Sequence, residues 1–201
     1  MKDSQRRRRS TAALLASVAL FIGGMCFTCT VAADEALVPV SLQMELLLKV
    51  AAYDKNLLAR AGERVRLTVL IKKDEADSGR AAAQALKALS QADDVVGLPI
   101  EARSWIYTDG PALARLTSET SLSIVYITPG FEQAELESIA RALSGLSVLS
   151  VGALAKYTSQ GAVLGFDLAG GKPKLLVHLG QAKKQRVELS SSVLKLMRVI
   201  E

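Results

Sequence analysis

Two spacings of apolar residues distinguish the first predicted elements. Residues 41–60 carry apolar side chains three or four positions apart, which predicts a helix with Ser41 as its N-cap and Gly62 at its end. Residues 64–71 instead alternate apolar and polar side chains, a pattern that predicts a strand. The chain is therefore expected to pass from a helix directly into a strand.

Helical and strand patterns continue to alternate over the middle of the chain, separated by Gly, Pro and acidic residues. The predicted elements are a helix over 78–89 capped by Ser78, a strand over 100–107, a short helix over 110–116, a strand over 121–128, a helix through 136–143, a strand over 146–151 and a short helix or turn over 152–157. This β-α-β order is typical of a largely parallel sheet with helices on both faces.

The last third of the chain departs from this alternation. Two strand patterns, over 162–168 and 174–179, are joined by residues 169–172, whose two adjacent glycines predict a hairpin. An apolar stripe over 190–200, preceded by serines, predicts a final helix. The predicted fold is α/β, with a mostly parallel sheet flanked by helices, a C-terminal antiparallel hairpin and a final helix.

The first 33 residues have the layout of a secretory signal peptide. Lys2 and four consecutive arginines precede an apolar stretch over 12–27, and small residues ending in Ala33 come before Asp34. Cleavage after Ala33 would leave a single periplasmic domain over 34–201. An uncleaved membrane anchor is the alternative, although the apolar stretch is shorter than the roughly 20 residues that cross a bilayer.

Removal of this leader changes the charge of the chain. The whole sequence has a formal net charge of +5, whereas residues 34–201 hold 20 basic and 19 acidic side chains. A nearly neutral domain gives no reason to expect nucleic acid or an anionic membrane surface as a partner. Because Cys26 and Cys29 both lie in the leader, the exported domain is expected to have no disulfide, thiol nucleophile or thiolate metal site.

Few side chains point to catalysis or to a cofactor. His178 is the only histidine, and one imidazole without cysteine does not form a conventional zinc site, so a packed or hydrogen-bonded role is expected for it. The sequence contains no nucleophile elbow and no phosphate-binding loop. Trp105 and Phe131 are either partner anchors or core residues, and the core is the commoner place for both. We therefore expect a partner-binding protein without metal or cofactor, not an enzyme.

The most unusual polar group lies near the end of the first predicted helix. Tyr53, Asp54, Asn56 and Arg60 are close enough in sequence to lie together there. With His178, they are the candidate residues for binding a partner or ligand. The alternative is that these residues end the helix and face solvent, because Asp and Asn are common at helix ends for backbone reasons alone.

Several short segments of the C-terminal third form a recognisable succession. They are QGAVLGF at 160–166, GKP at 171–173, LVHL at 176–179, Ala182 and LKL at 194–196. Together with YDKNL at 53–57 and the strand that begins near Val65, this succession resembles the YfiR family, also called YfiR/HmsC-like. The resemblance spans the whole exported domain and is most specific in its C-terminal part.

The resemblance implies a periplasmic regulator that represses an inner-membrane diguanylate cyclase by binding its periplasmic sensor region, which lowers cyclic di-GMP and biofilm formation. A histidine kinase or another membrane receptor is the alternative partner, and self-association as a homodimer is also expected. The best-described members carry cysteines that form redox-sensitive disulfides. The exported domain has none, so a redox switch is not expected here.

Two other functions compete with this one. A small periplasmic solute-binding protein is suggested by the charged loop over 72–77 at the carboxyl end of a strand, where parallel sheets bind ligands, but two-lobed solute receptors need about twice this length of chain. A hydrolase that uses His178 would need an acidic or hydroxyl group within about 3 Å of the imidazole. Partner binding is the function that the sequence favours.

Overall fold

The computed structural model describes residues 37–200, and the predicted signal peptide over 1–33 lies outside them. The helices are α1 Val40–Ala51, α2 Leu57–Ala61, α3 Ala76–Leu89, α4 Gly110–Thr120, α5 Gln133–Leu143, α6 Ala155–Ser159, α7 Leu179–Lys184 and α8 Ser191–Leu194. The strands are β1 Val65–Ile71, β2 Asp94–Val95, β3 Leu98–Ile106, β4 Ile124–Ile127, β5 Leu149–Gly152, β6 Leu164–Ala169, β7 Lys172–His178 and β8 Met197–Ile200. Among the described residues, no helix is long and apolar enough to cross a membrane.

The eight strands form one mixed sheet in the order β2-β3-β1-β4-β5-β6-β7-β8. The neighbours from β3 to β6 are parallel, β7 pairs antiparallel with β6, and β8 is parallel to β7. The predicted α/β class is confirmed, including the parallel core and the hairpin that closes through Gly170 and Gly171. Both glycines have positive φ, as a two-residue hairpin turn of this type requires.

Apolar side chains cover both faces of the sheet, as expected for strands that lie between two layers of helices. On one face, Val65 and Val69 of β1 belong to the same buried cluster as Leu47 of α1 and Ala85 of α3. The second cluster joins β4 to α4, α5 and α6, through side chains that include Val125, Leu113, Leu136 and Tyr157. The sheet therefore has the helices on both faces that the β-α-β order predicts.

The first predicted helix is two helices instead of one. α1 ends at Ala51 and α2 begins at Leu57, with a turn between them that forms an isolated bridge from Asp54 to Leu189. The Asp54 carboxylate accepts a hydrogen bond from the Asn56 N–H at 3.1 Å, which gives the backbone an alternative to helical bonding. The predicted end at Gly62 is confirmed, because Gly62 follows α2 with a φ of 64°.

Two predicted N-caps are wrong. α1 has Pro39, not Ser41, at its N-cap position. α3 begins before Ser78, with Glu75 at its N-cap position, and Ser78 is buried inside the helix. The Ser78 hydroxyl accepts from the Lys72 N–H at 2.7 Å and pairs with the Thr128 hydroxyl at 2.5 Å, so this serine joins the carboxyl ends of β1 and β4.

The predicted final helix is much shorter than 190–200. Ser190 does occupy the N-cap position of α8, but the helix ends at Leu194 and the chain continues as β8, in which Val199 pairs with Val177. The open edge of β7 supplies backbone hydrogen-bond partners that override a helical spacing of apolar residues. A helix that was not predicted, α7, directly follows His178.

The β2–β3 hairpin was not predicted from the sequence. Its two-residue turn consists of Val96 and Gly97, whose φ angles are 55° and 77°. Positive φ at both positions is the geometry that Asn-Gly favours, and it is unfavourable for a β-branched residue. Val96 is also 51% exposed, so packing does not compensate for this strain.

Val96→Asn is therefore expected to raise the free energy of unfolding by about 1 kcal/mol, which is a rise of about 2–4 °C in Tm for a domain of this size. Thermal unfolding followed by circular dichroism measures the change. Val95→Asn is the matched control and should lower Tm, because Val95 is buried and extended. A lower Tm for Val96→Asn would show that the turn geometry is not strained.

Candidate functional site

The four polar residues predicted near the end of the first helix do lie together, around the turn between α1 and α2. The side chains of Asp54 and Arg60 form an ion pair in which they are 0% and 2% exposed. Asn56 is partly buried, and Tyr53 is half exposed. Asp54 and Arg60 are thus a buried pair, whereas Asn56 and Tyr53 are accessible to solvent.

This turn also binds a distant part of the chain, the 186–190 segment between α7 and α8. Asp54 Oδ1 accepts from the Glu188 N–H at 3.0 Å, and Asn56 Nδ2 donates to the Arg186 carbonyl at 2.9 Å. The Ser190 N–H donates to the Tyr53 carbonyl at 3.0 Å. The polar cluster therefore holds the C-terminal part of the domain against the N-terminal helices.

Arg60 is a costly residue to bury. Its Nε and Nη1 atoms are buried and have no hydrogen-bond partner among the described residues. Desolvation lowers the pKa of Arg60 to about 10, so the guanidinium remains charged at neutral pH and depends on Asp54 for its compensation. Asp54 and Arg60 are structural residues in this arrangement, whereas Asn56 and Tyr53 remain available for contact with a partner.

His178 has the hydrogen-bonded role that the sequence favoured. It stands at the N-cap position of α7, where its Nδ1 accepts from the Gln181 N–H at 3.2 Å. A ring nitrogen that accepts this bond orients the imidazole and satisfies one of the free N–H groups of the helix. The described residues form no group of three or more His, Cys, Asp and Glu side chains that could hold a metal ion.

At the carboxyl ends of the parallel strands, where such sheets often bind ligands, side chains bond to one another and to the backbone. Lys72 at the end of β1 forms an ion pair with Glu135 of α5. The Tyr157 hydroxyl accepts from the Phe131 N–H at 3.0 Å, and burial raises the pKa of Tyr157 to about 12, so the phenol stays protonated. Lys72 thus links the charged loop over 72–77 to α5.

Glu135 makes this edge sensitive to acid. Burial by itself raises the pKa of its carboxyl, but the Glu132 N–H and the Lys72 ammonium lower it, and the net pKa lies below the usual 4.5. Since the folded-state pKa is the lower one, the ionised carboxylate stabilises the fold above about pH 4.5, and this contribution is lost as the pH falls through the folded-state value.

Glu135→Gln should accordingly lower the free energy of unfolding at neutral pH by up to about 1 kcal/mol, a range typical of partly exposed ion pairs. The difference from the wild type should shrink as the pH falls below the folded-state pKa of Glu135. Urea unfolding at neutral and at acidic pH measures both values. An unchanged difference at the two pH values would mean that the charge of Glu135 contributes nothing.

A groove of about 370 Å³ opens beside the 186–190 segment, and we call it the C-terminal groove. Its lining is mostly apolar and carries two basic side chains and one acidic one. It consists of Asn56, Leu179, Ala182, Lys183, Arg186, Val187, Glu188, Leu189 and Leu194. Leu179, the first residue of α7, is 44% exposed at this groove. Leu196, just beyond α8, is 66% exposed but does not line this groove.

A larger groove of about 550 Å³ lies between α4 and the sheet, and we call it the sheet groove. Arg66 of β1 and Glu101 and Arg103 of β3 form its polar floor, Trp105 its aromatic end, and Leu116 part of its α4 wall. Arg66 Nε lies 3.7 Å from the Glu101 carboxylate, and Arg103 pairs with the same group. In the sequence, Arg66, Glu101 and Arg103 alternate with apolar residues along these strands, and this pattern alone did not predict a groove.

The two aromatic residues singled out from the sequence have different positions. Phe131 is buried and packs edge-on against Tyr107, with ring centroids 5.5 Å apart. Trp105 is only partly buried and also contacts Tyr107 edge-on. Phe131 is therefore a core residue, while Trp105 presents part of its ring to the sheet groove.

Comparison with known proteins adds a family and a fold. A family model described as YfiR/HmsC-like matches residues 42–198. No curated protein sequence matches the chain. A conserved domain protein from Vibrio cholerae O1 biovar El Tor strain N16961 has a similar structure, with a TM-score of 0.54 and 12% identity over 81% of this chain and 60% of that chain.

The ligand-free, open structure of CD0873, a substrate-binding protein with adhesive properties from Clostridium difficile, is also similar, with a TM-score of 0.51 and 11% identity over 73% of this chain and 58% of that chain. At such identities the likeness concerns the fold alone. The chain spans about 60% of the length of the Vibrio structure and slightly less of the Clostridium one.

Proposed function

The chain belongs to the YfiR/HmsC-like family, and we propose that it is a periplasmic regulator that binds the sensor region of an inner-membrane signalling protein. In this proposal the partner is a diguanylate cyclase, and binding represses it, so that cyclic di-GMP and biofilm formation fall. The protein acts by contact and not by catalysis. Its recognition surface is the C-terminal groove.

The observation that carries this proposal is the exposed apolar surface at that groove. Leu179 is exposed to water although Leu189, which also lines the groove, is buried. Covering such side chains by a partner is favourable, because it removes apolar surface from water. Lys183 and Arg186 at the same groove favour a partner segment that carries acidic residues beside its apolar ones.

The groove also has a defined position in the fold. The 186–190 segment forms one side of it and is held by Asp54 and Asn56, two of the residues predicted from the sequence. A recognition surface whose backbone is fixed in this way loses little conformational entropy on binding. Asn56 contributes directly as a lining residue, and Asp54 contributes by fixing the segment.

The effect on the signalling enzyme is tested in cells that lack the gene and are complemented with the full-length protein. Complementation by the wild type should lower the cyclic di-GMP content of the cells, and Leu179→Asp should not. Asp is favourable in the first turn of a helix, so this change removes apolar surface without opposing α7. An unchanged cyclic di-GMP content after wild-type complementation would contradict repression of a diguanylate cyclase.

The sheet groove favours a second candidate function, the binding of a small solute. Its volume of about 550 Å³ is within the range of small-molecule sites, and it combines charged side chains with the ring of Trp105. Trp105 is the only tryptophan, so its fluorescence reports binding in this groove. Titration with amino acids, organic acids and sugars should shift that fluorescence if a solute of these classes binds, and an unchanged spectrum would count against this candidate.

A further inference from the structure

A small cavity with a polar wall lies at the end of the sheet where the parallel strands begin. It has a volume of about 200 Å³, and its wall consists of Arg60, the hydroxyl residues Thr117, Ser118, Ser121 and Ser147, and two leucines. α2, the end of α4 and the segment that leads into β5 therefore meet at this cavity. We call it the Arg60 cavity.

Arg60 brings more hydrogen-bond donors to this cavity than its partners use. A guanidinium has five N–H groups. Nη2 pairs with the Asp54 carboxylate, whereas Nε and Nη1, which together hold three of the five N–H groups, have no partner among the described residues. The side chain is only 2% exposed, so bulk water does not solvate these donors. Because buried donors are nearly always satisfied, they point to an acceptor that enters the cavity.

The charge of the wall favours an anion as this acceptor. Arg60 is the one charged side chain that lines the cavity in the described part of the chain, and its counter-charge Asp54 is not in the wall. The Thr117 carbonyl, near the negative end of α4, already accepts from the N–H groups of Ser121 and Leu122. An oxyanion would thus meet no carboxylate in the wall, and its bonds to the guanidinium would be charge-assisted.

The hydroxyl groups restrict which oxyanion suits the cavity. Thr117 Oγ1 and Ser118 Oγ donate to backbone carbonyls one turn earlier in α4, at 2.8 and 3.0 Å, so toward a ligand each of them can only accept. The hydroxyls of Ser121 and Ser147 can rotate to donate or to accept. A ligand that has both donors and acceptors therefore matches the wall. Protonated phosphate has P–O–H donors and unprotonated oxygens, whereas sulfate at neutral pH has acceptors only.

We propose that the Arg60 cavity is a binding site for inorganic phosphate. The N–H groups of Arg60 donate to the unprotonated oxygens, and the hydroxyls of Thr117 and Ser118 accept from P–O–H. The volume of the cavity is below the range of about 300–1,000 Å³ that is typical of sites for larger ligands, so it suits a small ion. None of the cavity residues lines the C-terminal groove, so this site is separate from the proposed recognition surface.

Equilibrium dialysis of the full chain against radiolabelled inorganic phosphate, at neutral pH and constant ionic strength, tests the proposal. Binding should saturate at one phosphate per chain. Unlabelled phosphate should displace the label, and sulfate should need a concentration about tenfold higher or more, because it cannot donate to the two α4 hydroxyls. Absence of saturable binding, or equal displacement by sulfate and phosphate, would overturn the proposal.

Two variants and one control locate the bound ion. Ser147→Leu fills part of the cavity and should raise the Kd for phosphate at least about tenfold. Asp54→Asn combined with Arg60→Met removes the charged donors without leaving a lone buried charge, and it should abolish saturable binding. Ser144→Leu is the matched control, since Ser144 is exposed at the end of α5 and outside the cavity wall, and it should leave the Kd unchanged.

Circular dichroism of each variant establishes that the fold is kept. Wild-type affinity in Ser147→Leu, or phosphate binding retained by the double variant, would place the ion elsewhere and overturn the proposal. These outcomes are independent of the proposed repression, because no membrane protein is present in the dialysis and the C-terminal groove is not altered by Ser147→Leu.

Discussion

Asp54→Asn is expected to lower the free energy of unfolding by about 3–5 kcal/mol, a loss typical of removing one member of a buried ion pair. Asparagine has the same shape and can still accept from the N–H groups of Asn56 and Glu188. The Arg60 guanidinium, however, would remain buried without a counter-charge, and two of its nitrogen atoms already have no partner among the described residues. Urea unfolding followed by circular dichroism measures the loss.

Two comparisons isolate the buried charge as the cause. Asp54→Asn combined with Arg60→Met should recover most of the stability, because the uncompensated charge is then gone. Lys55→Ala is the matched control, since it removes an ion pair with Glu188 in which both side chains are 59% exposed, and it should change the stability by less than about 1 kcal/mol. Equal losses for Asp54→Asn and Lys55→Ala would contradict this explanation.

Gly161→Ala should lower the free energy of unfolding by about 2–4 kcal/mol for two additive reasons. Gly161 has a φ of 114°, a conformation that residues with a side chain rarely adopt. An added Cβ would also lie 2.5 Å from the Cβ of Ala140, where α5 packs against this turn. Thermal and urea unfolding of the variant measure the effect.

Gly79→Ala is the control for this prediction. Gly79 lies inside α3, and an added Cβ would have no atom within 4 Å, so alanine should raise the stability by about 0.5–1 kcal/mol through its higher helix propensity. Ala140→Gly combined with Gly161→Ala should recover only the part of the loss that is due to the clash. If Gly161→Ala were as stable as the wild type, the close packing of α5 on this turn would be wrong.

Close packing explains the two glycines of the QGAVLGF segment, which is part of the family resemblance. Gly161 lets α5 approach, and Gly165 lies so close to the Thr158 hydroxyl of α6 that a side chain could not be added without a shift. The segment leads from α6 into β6, whose partner β7 ends at His178. Gly161 and Gly165 of this segment are thus needed for packing.

The parallel core was predictable because its strands and helices carry strong local patterns. The apolar alternation of β1 and the apolar face of α5 gave the correct element types from local sequence alone. The break between α1 and α2 was not predictable in the same way. The Asp54 carboxylate that stabilises it accepts from Glu188, which is 134 residues away in sequence.

The candidate site shows the same limit. The sequence correctly placed Tyr53, Asp54, Asn56 and Arg60 together, but it could not distinguish the buried pair from the exposed residues, because that depends on where the 186–190 segment packs. β8 was predicted as helix for a related reason. Val193, Leu196, Met197 and Ile200 have helical spacing, but Met197 and Val199 also alternate as in a strand, and the free edge of β7 decides between the two structures.

The central claim is that the C-terminal groove binds a membrane signalling protein, and a pull-down from crosslinked cells tests it most directly. The full-length tagged protein is expected to capture a membrane protein with a periplasmic sensor region and a cytoplasmic cyclase or kinase domain, as identified by mass spectrometry. Leu179→Asp should lose that protein, while Val96→Asn, which alters an exposed apolar residue at the opposite end of the sheet, should retain it. Equal capture by Leu179→Asp and the wild type, or no membrane protein with either, would contradict the account.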